Sequence, residues 1–235
     1  DPSPCYAIRA MEGVAAGLFV PAAMSWINLQ PDHEGMSGNF IAALNLGLVS
    51  GLVLAGWLTV PAGVLGGVIV FTAFTAVPLL MTVFVGETVG PGRGRADLLG
   101  VGRDNFWLYI SAIVLIGATG VVTALYPDFT GESAANLGVQ LGLMNVATIV
   151  ASLAASRVHL APIPTIRVSA VLMAAGVALS FFTPAAFVFI GGIAGVVMIA
   201  QINYLAANPG QQGAIMGLFN ASSYAGMTLL PFVAA

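Results

Sequence analysis

The sequence predicts an all-α polytopic membrane protein with eight transmembrane helices. Three observations carry that expectation. Only 6% of the 235 residues are charged, against roughly 25% in soluble domains. Hydrophobic residues make up 59% of the chain, and its mean hydropathy is +1.00. Apolar runs of about 20 residues, the length that crosses a bilayer as a helix, recur from end to end. So few charges cannot coat a water-soluble globule, and such high hydrophobicity excludes disorder. A single cysteine, Cys5, excludes a disulfide scaffold. The net charge of -3 and a pI near 5.1 argue against nucleic acid as a partner.

The spans are expected at residues 6–28, 36–59, 62–85, 105–126, 133–154, 166–183, 185–207 and 213–235. The first is separated from the second by Gln30-Pro31-Asp32-His33-Glu34-Gly35, a turn-forming cluster. Tyr126-Pro127-Asp128 ends the fourth span, Thr183-Pro184 the sixth and Asn208-Pro209-Gly210 the seventh. Membrane β-strands would alternate apolar and polar residues with a period of two. These runs are apolar on every face, so helices are expected. Trp26, Trp57, Trp107 and Tyr126 fall near span ends, where amphipathic rings favour the interface.

All six basic residues are arginines. Arg93, Arg95 and Arg103 fall between the third and fourth spans, and Arg157 and Arg167 flank the turn between the fifth and sixth. The turn between the fourth and fifth holds Asp128 and Glu132 and no arginine. The positive-inside rule then makes loops 86–104 and 155–167 cytoplasmic, in a multi-pass protein of the cell (plasma or inner) membrane. The first span starts outside, which an odd number of preceding helices would explain.

The first two spans repeat in the last two. Gly13, Gly17, Ala22, Pro31 and Gly35 recur as Gly191, Gly195, Ala200, Pro209 and Gly213, each 178 positions later. With a one-residue slip, Gly38 and Gly47 recur as Gly217 and Gly226. Both copies cross the membrane in the same sense. Parallel repeats about an axis along the membrane normal are an architecture of two-bundle secondary transporters.

Specific residues carry the resemblance further. Arg9-Ala10-Met11-Glu12-Gly13, followed by Gly17, resembles the Arg-x-x-Gln-Gly-x-x-x-Gly pattern of the fourth helix in the major facilitator superfamily. Gly47-x-x-x-Gly51-Leu52-x-x-Ala55-Gly56 resembles the fifth-helix pattern of that family's drug/proton antiporters. Glu12 stands where Gln is usual, and Leu52 and Ala55 replace a Pro and a Gly. The resemblance implies a two-bundle fold in which the eight spans are helices four to eleven, with one to three and twelve outside the chain. Residues 1–85 would form part of the N-terminal bundle, 86–104 the cytoplasmic linker and 105–235 the C-terminal bundle. A fragment of this extent would not transport by itself.

An ionisable side chain at a helix centre in the bilayer costs about 2.5–3.5 kcal/mol on insertion scales. Arg9 and Glu12, spaced i, i+3, lie on one helix face. They are the candidate coupling pair, exchanging a proton or another coupling ion; alternatively Arg9 snorkels to the interface with Glu12 as its counterion. Asn45, Gln140, Met144, Asn145, Gln201, Asn203, Asn220 and Tyr224 fall within the apolar runs and are the candidate cavity lining. Hydrogen bonds between helices, worth about 0.6 kcal/mol each, are their alternative use. Three glycine pairs, Gly47/Gly51, Gly191/Gly195 and Gly213/Gly217, have the spacing that lets helix backbones approach closely.

Nucleophilic and zinc motifs are missing from the sequence, so an enzyme is not expected, nor is a cofactor. The expectation is a secondary active transporter for a small molecule, working by alternating access. On resemblance, proton-coupled efflux of amphipathic compounds leads. Sugar or other metabolite symport, or a receptor or channel built on a similar bundle, is the alternative.

Overall fold

The computed structural model describes residues 3–84, 97–132, 134–208 and 210–235. Among these, every regular element is helical. The helices are α1 (Ser3–Asn28), α2 (His33–Met81), α3 (Leu98–Asp104), α4 (Phe106–Phe129), α5 (Ala134–Ala155), α6 (Pro162–Ser180), α7 (Ala185–Ala206) and α8 (Gln212–Ala234), with a 3-10 turn at Thr82–Phe84. Among the described residues, four stretches are long and apolar enough to cross a membrane: Phe106–Phe129, Asn136–Ala155, Pro162–Ser180 and Ala185–Ala206. Gly13–Asn28 is a shorter apolar helix. The first, second, third and eighth expected spans lie on α1, α2 and α8.

Several boundaries differ from the sequence expectation. The second and third spans form one helical element, α2, interrupted only at Gly63 with φ 66° and ψ 176°. Glycine alone enters that region without a Cβ penalty. Pro61, two residues earlier, has no N–H to continue the ladder, so the break needs one residue rather than a loop. The fourth span runs through Pro127 to Phe129, because a proline in the last turn forfeits one bond without ending the helix. The sixth starts at Pro162 rather than Ile166, a proline being favoured in the first turn where its missing N–H costs nothing. Part of the expected linker folds as α3. Its N-cap is Asp97, whose side chain accepts from the Gly100 N–H at 3.0 Å. Apart from the Asp97 cap, the rest of that linker, 86–96, lies outside the described residues.

The core is built around α7. Phe187, Ile190, Val197, Ile199, Ile202 and Leu205 are fully buried, while a strip through Val188, Gly192 and Val196 is open. It packs between α5 and α6, with α4 and α2 completing its surround. Close approach to α5 depends on two glycines: a Cβ at Gly191 would collide with the Met144 backbone, and one at Gly195 would lie 2.6 Å from the Thr148 carbonyl oxygen. The Thr148 hydroxyl crosses the same seam to the Gly191 carbonyl at 3.0 Å. α4 and α8 meet the same way, Gly117 against Gly226 and Gly120 against Met227, backbone to backbone. Of the three anticipated glycine pairs, Gly191/Gly195 packs as expected. At Gly47, Gly51, Gly213 and Gly217 an added Cβ would meet nothing within 4 Å among the described residues.

Candidate functional site

Helices α1 and α2 meet the α4–α8 group at one end of the molecule. Along residues 10–51, buried positions are confined to the stretch 21–42, and the earlier part of α1 is largely exposed. Three polar contacts define this seam. Asn28, the last residue of α1, donates from Nδ2 to Gln212 Oε1 at 3.0 Å and approaches the Met216 sulfur at 3.3 Å. Gln212, at the start of α8, in turn donates to the carbonyls of Leu205 and Asn208 and so fastens the turn after α7. One turn into α2, the Ser156 side chain and the Ser152 carbonyl lie where a Cβ on Gly38 would project.

The third contact centres on Glu34, in the first turn of α2, where the helix dipole favours a carboxylate. Its Oε1 accepts from Asn203 Nδ2 on α7 at 3.4 Å, and its Oε2 lies 3.4 Å from His159 Nδ1 in the turn before α6. The Glu34 side chain is 28% exposed and that of His159 93%. A polar cleft of about 520 Å³ opens here, bordered by Asp32, Glu34, Asn39, Ser156, Arg157 and His159. At the same end, the Asp97 N–H donates to Gln211 Oε1 at 2.8 Å, joining the segment before α3 to the turn before α8.

The expected cavity residues divide into three sets. Asn45 lies seven residues beyond Gly38 on α2, and Asn145 seven residues before Ser152 on α5. Seven residues are close to two helical turns, so both continue the seam-facing stripes away from the closed end. Each is half-buried and spends its amide N–H on its own helix, on the carbonyls of Ile41 and Leu141, both at 2.9 Å. Asn220 and Tyr224 follow Met216 at four and eight residues on α8, the first half-buried and the second exposed.

Gln140, Met144 and Gln201 sit instead inside the α4–α8 group. Gln201 is fully buried and donates to Ser111 Oγ on α4 at 2.9 Å. Gln140 and Gln201 each keep a buried Oε1 without a partner among the described residues. Asn203 belongs to the seam with Glu34. The side chains of Arg9 and Glu12 lie outside the described residues.

Sequence reasoning missed Asn28, Glu34, Ser37, Ser152, Ser156, His159 and Gln212. All are polar or small residues at or near helix ends, where solvation is the usual explanation, and nothing in the linear pattern says which ends meet. Among the described residues, no group of three His, Cys, Asp or Glu side chains is placed to hold a metal.

Helices this apolar, with a polar cleft at one end, define a multi-pass membrane protein. The family model of the Major Facilitator Superfamily matches residues 2–231, and the chain belongs to that family. It is therefore a membrane transporter for small molecules, and the family is not one of enzymes. No curated protein and no solved structure matches the chain.

Proposed function

We propose that this chain is a carrier working by alternating access, seen with its arginine-bearing end shut. The observation that carries the reading is the one-ended seam. Contacts between α1–α2 and the other helices cluster at the turns after α1, α5 and α7, while the residues two turns further along these faces are half-exposed asparagines. By the positive-inside rule the shut end is cytoplasmic, so the substrate path would open outward, on the side away from the polar cleft at Glu34. The eight expected spans, with residues 1–85 and 105–235 as the two helix groups and 86–104 as their linker, fit this arrangement.

The seam's chemistry supports a contact made to be broken. It mixes buried apolar side chains, Met24, Ile27 and Ile41, with small and polar ones, and three of its buried polar atoms, Asn28 Oδ1, Ser37 Oγ and Asn203 Oδ1, have no partner among the described residues. Each such atom costs about 1–3 kcal/mol, offsetting part of what closure gains. The interface of α5 with α7, by contrast, sets backbone against backbone at Gly191 and Gly195.

Asn45, Asn145, Asn220 and Tyr224 would line the substrate path. They offer neutral hydrogen-bonding groups in apolar surroundings, which suits amphipathic, neutral or weakly cationic compounds. Arg9 and Glu12 remain the proposed coupling pair for proton-driven efflux. The test is counterflow of labelled tetraphenylphosphonium, with and without a pH gradient, in proteoliposomes holding this chain together with the flanking helices the resemblance implies. The reading expects exchange against the label gradient and net movement driven by the proton gradient. Conductive leak without counterflow would refute a carrier mechanism, and counterflow indifferent to pH would remove proton coupling.

A further inference from the structure

We propose that α3 is a lipid-docking element: its outward face sits in the headgroup layer at the arginine-bearing end, and Arg103 holds the phosphate of an anionic phospholipid there. The inference needs only that α4 crosses a bilayer and does not depend on alternating access.

The short helix has two faces. Val101 and Asn105 are buried against the protein, as is Leu108 at the start of α4. Leu99, Arg103 and Phe106, spaced i, i+4 and i+7, share the opposite stripe, with Trp107 beside it. The Asn105 N–H reaches the Val101 carbonyl at 3.2 Å and the Tyr109 N–H reaches the Asn105 carbonyl at 3.1 Å, so the stripe passes from α3 into α4. Leu99 is 88% exposed and Trp107 80%, and Leu98 and Phe106 are at least half exposed. So compact an apolar patch marks a surface that something other than water covers.

The position of α3 decides what covers it. Asn105 alone separates α3 from the membrane-spanning stretch Phe106–Phe129. The Asp97 N–H is tied to Gln211 Oε1 in the turn before α8, and a Cβ added at Gly102 would lie 3.9 Å from Leu218 Cδ1. Gln211 and Leu218 are seven residues apart, about 10 Å along α8. The short helix therefore lies beside the first two turns of α8, at the mouth of α4, instead of standing clear of the bundle. That is the depth of lipid headgroups, where an interfacial helix buries Leu, Phe and Trp by about 5–10 Å.

The charge on the patch selects the lipid. The Arg103 side chain is 88% exposed, and its Nε lies 3.7 Å from the adjacent Asp104 carboxylate, itself 71% exposed. A pair this open is weak and leaves most of a five-donor guanidinium unsatisfied. Asp97, the other acid at α3, spends its carboxylate on the Gly100 N–H. The arginine stem can lie along its apolar neighbours while the guanidinium meets a phosphate through two parallel hydrogen bonds.

The experiment reads Trp107 fluorescence from the full chain in lipid nanodiscs. Trp26→Phe and Trp57→Phe leave Trp107 as the one tryptophan. The discs contain dibrominated phosphatidylglycerol or dibrominated phosphatidylcholine, whose bromines quench at close range. Both lipids should quench, with phosphatidylglycerol favoured about fivefold, the effect of one arginine at an anionic surface. In Arg103→Gln the quenching should persist and the preference should fall close to one. A Trp107 quenched by iodide and not by brominated lipid would place this face in water. A Trp107 shielded from both would place it under protein, as in a second copy of the chain, and either result would overturn the docking. Equal quenching by the two lipids in the parent, or a parental preference in Arg103→Gln, would overturn the phosphate site. A nitroxide at Leu99→Cys, in a chain with Cys5→Ser and all its tryptophans, checks the depth independently of the tryptophan substitutions. Dissolved oxygen should relax it more than a water-soluble nickel chelate, and the reverse order would overturn the docking.

Discussion

Gly191 and Gly192 are adjacent on α7, yet their alanine variants should move stability in opposite directions. At Gly191 a Cβ would enter the Met144 backbone, which cannot swing aside as a side chain can. Carbon atoms pack best at about 3.5–4.0 Å, so α5 must back away from α7 by an ångström or more. That shift loosens the neighbouring Gly195 contact and stretches the 3.0 Å bond from Thr148 to the Gly191 carbonyl. Overpacking of this kind costs about 1–3 kcal/mol, and the lost interhelical hydrogen bond adds about 0.6 kcal/mol. Better helix propensity returns up to about 1 kcal/mol, leaving a net loss of roughly 1–3 kcal/mol. At Gly192 nothing lies within 4 Å among the described residues, so only the propensity gain applies. The two variants should therefore differ by roughly 2–4 kcal/mol. Thermal unfolding in one detergent reads this as a gap of several degrees, at about 2–4 °C per kcal/mol for a domain of this size. Equal midpoints, or a more stable Gly191→Ala, would refute the close-packed α5–α7 seam.

Four further outcomes follow from the same contacts. Thr148→Val should lower stability by about 0.6 kcal/mol in denaturant titration, the value of one bond between membrane helices. Gln201→Met should stay within about 1 kcal/mol of the parent, because it loses the bond to Ser111 but also removes a buried unpaired oxygen. Gln212→Ala should cost about 1–3 kcal/mol in the same titration by orphaning the Asn28 amide and two carbonyls. Asn45→Leu and Asn145→Leu should leave the unfolding midpoint nearly unchanged while raising the KM for tetraphenylphosphonium about tenfold, the equivalent of a lost binding contact of about 1.4 kcal/mol; unchanged transport in both would remove them from the substrate path.

Four of the expected spans were legible as long apolar helices, because length plus apolarity suffices to specify a membrane helix, whereas the short α3 lay hidden in the expected linker. Their ends were less so, since prolines read as breaks. Pro127 and the residues from Pro162 are instead absorbed into α4 and α6, where a terminal turn tolerates a missing N–H. Packing was legible where a small-residue spacing coincided with a buried stripe, as at Gly191/Gly195. The same spacing at Gly47/Gly51 meets nothing among the described residues, so spacing alone does not identify a partner. The seam was the least legible part. Asn28 and Gln212 are 184 positions apart and Glu34 and Asn203 169 apart, and each is a commonplace polar residue at a helix end. Their meaning comes from which ends the fold brings together.

The internal repeat links those two distant contacts. An axis that carries α1 onto α7 and α2 onto α8 must also carry α7 and α8 back onto α1 and α2. A contact of α1 with α8 then requires a mate between α7 and α2, and both contacts exist. The offset of 178 places Gln212 opposite Glu34 and Asn28 opposite Ala206, one turn from Asn203. The Asn28–Gln212 bond and the Asn203–Glu34 bond are thus near-mates across such an axis, each an asparagine near the end of one helix donating to the first turn of another. In one copy the acceptor is an amide; in the other it is a carboxylate with a histidine beside it.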